Sequence, residues 1–213
     1  MFPKTSKFGF YVSLLLMILV LLQTRTGLAE PQVRIDLERE TQKKVSVAIT
    51  DFVLKDSIAD IMGIGKEAKK ILEKDLRLSE WFSPLSRQVF EELEEMERSS
   101  SELDYRSWRQ VGAQWLIKTE YSVMENGKGQ VFVFRLYDAV NKRFLFGKRY
   151  KASSDLFRKT VHRFADEVVM QLTGKRGIAE TQIAFLGQEK SGKEIYLIDF
   201  DGHNLRRVTH DHT

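Results

Sequence analysis

The last stretch of the chain, Thr181 to Thr213, reads TQIAFLGQEKSGKEIYLIDFDGHNLRRVTHDHT and constrains the fold more than any other. Two apolar runs, Ile183 to Leu186 and Glu194 to Asp199, flank a Lys190-Ser191-Gly192-Lys193 turn, and Asp201-Gly202 reverses the chain into Leu205 to Thr209. Three short strands with tight turns have the form of one β-propeller blade, and such a unit buries its sheet only against neighbouring copies. A single copy after Gly177 implies that further blades follow or that a partner supplies them. On its own, the tail is expected to be poorly ordered or to pack on the preceding domain.

The other end reads as an export signal. Lys4 and Lys7 precede the apolar run Phe8 to Leu22, and Gly27-Leu28-Ala29 offers small residues where a signal peptidase inspects the chain. That run of 15 residues is shorter than the ~20 a spanning helix needs, so cleavage between Ala29 and Glu30 is expected, leaving a soluble, periplasmic mature chain that does not span the membrane. Residues 1–29 carry Lys4, Lys7 and Arg25 and no acid, so their removal lowers the formal net charge from +4 to +1. A near-neutral mature chain, with no basic cluster interleaved with aromatics, argues against nucleic-acid binding. The chain has no cysteine, which excludes a cysteine nucleophile, a thiolate metal site and a lipid-bearing cysteine after the signal.

Between these ends the pattern alternates between strands and helices. Val33, Ile35 and Leu37 alternate with Arg34 and Asp36, the period of a strand with one dry face. A charged stretch separates it from Val45 to Phe52, whose β-branched density suits a buried strand. Ile64, Ala68, Ile71, Leu72 and Leu76 predict an amphipathic helix that Ser83-Pro84 stops. Phe90 to Arg98 reads as a short acidic helix and Tyr105 to Gln110 as one more helical turn. Three strands follow, Trp115 to Met124, Gln130 to Tyr137 and Arg143 to Tyr150, with reversals at Asn126-Gly127 and Asn141-Lys142. Ser153, Ser154 and Asp155 offer an N-cap to a helix whose apolar face runs from Phe157 to Leu172, and Gly174 ends it. The pattern predicts an α/β (α+β) domain with a mixed sheet and covering helices over residues 30–176, followed by an incomplete propeller blade over 177–213.

Candidate chemistry is sparse. Gly63-Ile64-Gly65-Lys66-Glu67-Ala68 matches the looser dinucleotide fingerprint, but Val53 to Met62 intervenes between strand and first glycine, so the glycines read as easing a loop into a helix. Lys66 is followed by Glu67 rather than Ser or Thr, which rules out a Walker-type phosphate loop. Asp199-Phe200-Asp201-Gly202 lacks the later ligands of a calcium loop and reads as a hairpin turn. His203, His210 and His212 read as solvent-exposed. His162 and Asp166, four apart on the long helix, read as a surface pair at the edge of the apolar stripe. With no nucleophile elbow, zinc-protease helix or carboxylate pair, the sequence predicts a non-enzymatic protein with no cofactor, metal or small-molecule substrate. The alternating segment Val33 to Leu37 is suited to adding its edge to another protein's sheet, or equally to forming an edge strand of its own domain.

Several stretches together resemble the TolB family, periplasmic proteins of the Tol-Pal envelope system. The strongest is His162-Arg-Phe-Ala-Asp-Glu-Val-Val-Met-Gln-Leu-Thr-Gly174 continuing through Arg176-Gly177-Ile178 into Thr181 to Phe185. Glu194 to Gly202 with Arg206 to Thr209 is similar to the family's repeat, and Asp75 to Ser79, Phe82 to Leu85 and Trp108 to Gly112 agree more weakly. The resemblance implies an N-terminal α/β domain followed by a six-bladed propeller. It implies an adaptor that links TolA of the inner membrane to the outer-membrane lipoprotein Pal, serving envelope integrity and constriction at division. Val33-Arg34-Ile35-Asp36-Leu37 matches the family's segment for the TolA C-terminal domain and inherits that role; the Pal contact falls in blades beyond these residues. Glu38 to Lys44 and the acidic Glu91 to Glu97 depart from the family pattern. The runner-up reading is the front of an exported propeller-containing hydrolase or peptidase.

Overall fold

Strand β1 (Val45–Ile49) sets the sheet, because its β-branched and small residues tolerate burial on both faces. The computed structural model describes residues 43–55, 60, 63–98, 100, 102–124, 129–189 and 192–210. The predicted export signal, the Val33 to Leu37 segment and the predicted Asn126-Gly127 reversal lie outside the described residues. After β1 come β2 (Val53–Leu54), α1 (Ile64–Leu78), β3 (Phe82–Pro84), α2 (Glu91–Arg98) and α3 (Tyr105–Gln110). The meander β4 (Trp115–Val123), β5 (Gly129–Asp138) and β6 (Arg143–Ser153) leads into α4 (Phe157–Thr173). A second sheet closes the chain with β7 (Gln182–Glu189), β8 (Gly192–Asp199) and β9 (Arg206–Arg207).

The first sheet runs β3-β1-β4-β5-β6, with β2 also paired to β4. It is mixed, as predicted: β1 is parallel to β3 and β4, while β4, β5 and β6 are antiparallel. One face packs Ile117, Phe132 and Phe134 against α1 and α4, where Phe134 stacks on Phe164 at 4.2 Å. The other buries Ala48 and Leu116 under Phe90, Leu93 and Trp108 of the α2–α3 side. Helices therefore cover both faces, though α2 and α3 are short and leave part of the second face open.

Three sequence expectations change. The strand predicted from Val45 to Phe52 ends at Ile49, and a short β2 follows. Ser83-Pro84 does not merely stop the helix; both residues lie in edge strand β3, where proline is tolerated because the outer side needs no donor. The predicted cap at Ser153 to Asp155 is not used: Ser153 extends β6, and Leu156 occupies the N-cap position of α4 without a side-chain bond. At the second reversal Lys142 takes a positive φ of 54°, and Asp138 accepts from the Asn141 backbone and amide.

The closing sheet is antiparallel throughout, with Ile183 opposite Ile198, Phe185 opposite Tyr196 and Leu186 opposite Ile195. Alternation puts Ile183 and Phe185 on one face and Leu186 and Ile195 on the other, and all four are exposed, Leu186 by 67%.

Candidate functional site

Where the glycine-rich segment opens α1, a side chain of the protein already fills the anion position. Asp60 Oδ1 accepts from the Ile64 N–H at 2.9 Å and Oδ2 from the Gly65 N–H at 3.0 Å and the Tyr121 hydroxyl at 2.7 Å. Burial pushes this carboxyl up, but the Gly65 amide, the Tyr121 hydroxyl and the Ile64 amide outweigh it and hold the group below the usual carboxylate range. The helix N-terminus thus has its negative partner, which leaves no anion hole for a pyrophosphate. Gly63 supplies a left-handed φ of 64°, and Gly65 lets the Tyr121 ring approach: a Cβ there would lie 2.7 Å from Cε1. Gly65→Ala would stabilise an open helix by ~1 kcal/mol. Here it is expected to destabilise by ~1–3 kcal/mol, because Tyr121 must move and surrender its bond to Asp60. Urea unfolding of the two proteins checks the sign.

A buried charge cluster joins the helices to the closing sheet. His162 Nδ1 of α4 lies 2.7 Å from Asp75 Oδ2 of α1, and His162 Nε2 lies 4.0 Å from Asp201 Oδ2. Arg158 pairs with the same Asp201 oxygen, Lys74 donates to the Asp201 carbonyl, and His203 Nδ1 stands 3.6 Å away. Burial pushes the Asp75 carboxyl up, with His162 opposing it and Asp201 and Asp166 adding to it. His162 is 5% exposed, Asp75 3% and Asp201 4%, so the three are shielded from solvent. The cluster's work is to seat the Asp201 turn on α1 and α4, and the tail packs on the preceding domain through it.

These contacts correct the reading of His162 and Asp166 as a surface pair. His162 turns inward to Asp75, while Asp166 accepts from the backbone N–H of Ala179 at 2.8 Å and Glu180 at 3.1 Å. Gly177 is required beside it, since a Cβ there would lie 2.1 Å from Asp166 Oδ1. Sequence reasoning missed the pairing roles of Asp75 and Asp201; the available signal was an aspartate set between Leu72 and Leu76 in an apolar helix face. Asp199-Phe200-Asp201-Gly202 forms a turn, with Gly202 at φ 86° and Asp201 Oδ1 accepting from the His203 N–H. Among the described residues no group of histidine and acidic side chains is arranged to hold a metal ion, and no helix is long and apolar enough to cross a membrane. Val33, Arg34, Ile35, Asp36 and Leu37, like Ala29 and Glu30, lie outside the described residues, as does His212.

Comparison with known proteins decides the family. The model of the TolB amino-terminal domain matches residues 33–145, more than half of the chain. The chain belongs to the TolB family. The Tol-Pal system protein TolB of Syntrophotalea carbinolica is 33% identical over 205 residues, covering 95% of this chain and 45% of that protein. Its counterpart in Geobacter sulfurreducens is 34% identical over 151 residues, 71% of this chain and 34% of its own. The chain thus spans less than half the length of these TolB relatives. The crystal structure of TolB from Acinetobacter baumannii shares the fold, with a TM-score of 0.61 at 16% identity over 79% of this chain and 39% of that one.

Proposed function

We propose that this TolB-family chain is the amino-terminal part of a non-enzymatic periplasmic adaptor that links TolA of the inner membrane to Pal of the outer membrane. The observation that carries the reading is the TolB amino-terminal match over residues 33–145, from a family whose relatives are named Tol-Pal system proteins. In this reading residues 1–29 are an export signal cleaved between Ala29 and Glu30, 30–176 form the α/β domain and 177–213 the first propeller repeat. The adaptor serves outer-membrane integrity and constriction at division.

Support for the last assignment comes from the closing sheet. A sheet with one dry face needs one covering layer, whereas β7–β9 present exposed apolar residues on both faces, with Ile183 and Phe185 on one and Leu186 and Ile195 on the other. Blades on a propeller are covered in this way on both sides. The greater length of the relatives leaves room for such repeats. The Pal contact belongs to those later blades.

The TolA contact falls to Val33-Arg34-Ile35-Asp36-Leu37. Main-chain donors and acceptors of an extended segment pair with a sheet edge, and the alternate apolar side chains Val33, Ile35 and Leu37 fill pockets beside it. Capture of the TolA C-terminal domain by the chain is expected to be lost when residues 30–40 are deleted. Undiminished capture rejects this assignment.

A further inference from the structure

The first sheet ends on two unlike edges. β3 is blunted, with three residues and Pro84 among them. β6 is its opposite: 11 residues without proline, paired to β5 without a break from Phe146 to Ser153. No strand follows on its outer side, and among the described residues its main chain makes a single bond beyond the β5 ladder, from the Leu156 N–H to the Ser153 carbonyl. Alternate N–H and C=O groups of β6 therefore point outward without a main-chain partner among the described residues, which makes this edge a template for another strand. Charge decides which strand that can be. The segment Arg143 to Ser153 carries Arg143, Lys148, Arg149 and Lys151 and no acid. Two of these are neutralised within the fold, Arg143 at 3.4 Å from Asp138 and Lys148 at 2.9 Å from Glu167 of α4. Arg149 and Lys151 are exposed and have no carboxylate partner among the described residues. Opposite Val133 and Val131 of β5, they share the sheet face that α2 and α3 leave partly open. The acid in the same cross-strand row, Glu120, is already shared by Lys55 at 3.2 Å and Arg135 at 3.1 Å.

We propose that the outer edge of β6 receives an extended acidic segment of a partner protein, which adds a strand to the sheet and sets its alternate carboxylates beside Arg149 and Lys151. Main-chain bonds to the free edge supply the affinity, and the two cations supply the choice of partner. The intervening residues of the incoming strand fall beside Phe146 and Tyr150, both half-buried on the α4 face, and are uncharged. The same cations exclude a second copy of this chain, because two β6 edges laid together would bring like charges against each other. This contact goes beyond those with TolA and Pal. It needs neither the Val33 to Leu37 segment nor the closing sheet.

The test follows the backbone amides of the isotope-labelled full chain while one of three short peptides with blocked ends is added. One alternates threonine and glutamate, one alternates threonine and lysine, and the third is the glutamate peptide with every amide N-methylated. The glutamate peptide is expected to shift the β6 resonances most and to slow exchange of the β6 amides that face away from β5. It should bind about tenfold more tightly than the lysine peptide, the scale of replacing two like-charge cross-strand pairs by two opposite-charge ones. The N-methylated peptide keeps the charge but has lost its main-chain donors, and should bind at least about tenfold more weakly than its parent. Arg149→Glu combined with Lys151→Glu, both at exposed positions, is expected to reverse the preference in favour of the lysine peptide. The three peptides on the unsubstituted chain decide the matter even where that variant folds poorly. No binding of the glutamate peptide, equal binding of the lysine or N-methylated peptide, or the largest shifts lying away from β6 overturns the proposal. So does concentration-dependent pairing of two copies of the chain through β6.

Discussion

Replacing Trp108 by alanine is expected to lower the unfolding midpoint by about 10 °C. Trp108 is fully buried, packs against Phe90 with ring centroids 5.4 Å apart, and donates its indole N–H to Glu97 Oε1 at 2.7 Å. Its loss leaves a large cavity in the smaller of the two cores, under short α2 and α3, which cannot collapse far without uncovering Leu116 and Ala48. Removal of a buried tryptophan of this kind costs about 3–5 kcal/mol. Glu97 keeps Lys118, so the polar part of the loss is small. Differential scanning calorimetry decides it, and a midpoint within about 2 °C of the parent, the effect of about 1 kcal/mol or less at this chain length, would show that α2 and α3 contribute little to the fold.

The second large effect belongs to Asp201. Asp201→Ala leaves Arg158, only 17% exposed at its side chain, without its nearest carboxylate, and leaves Lys74 facing a rearranged turn. Breaking a buried pair by removing one partner costs about 3–5 kcal/mol, and the low end applies because Arg158 retains Glu67 at 3.4 Å. The loss is local, so it should appear as faster amide exchange in β7–β9 while β4 and β5 hold their protection. Asp201→Asn keeps an acceptor for the His203 N–H but not the charge, and should fall between the two. Unchanged exchange in the closing sheet of the alanine variant would mean that the sheet is seated by something other than this cluster.

How much of the fold and the site was legible in the sequence follows from the range of each interaction. β4, β5 and α4 were readable because alternation and the three-to-four spacing of Val161, Phe164, Ala165 and Val168 are local patterns that burial then obeys. The mixed sheet was readable from helices bracketing strands. Pro84 misled because a proline ends helices and also sits comfortably on a sheet edge, and only the neighbour β1 distinguishes the two. The Asp75–His162 contact spans 87 positions and the Arg158–Asp201 pair 43, so no periodicity encodes them.

The central proposal, that the chain docks on TolA through its N-terminal segment, is tested most directly by titrating the isotope-labelled chain from Glu30 onward with the unlabelled TolA C-terminal domain and following every backbone amide. Residues Val33 to Leu37 are expected to carry the largest shift changes, with α1, α4 and the Asp75–His162 pair unmoved. Changes centred on those helices with Val33 to Leu37 silent would contradict the account.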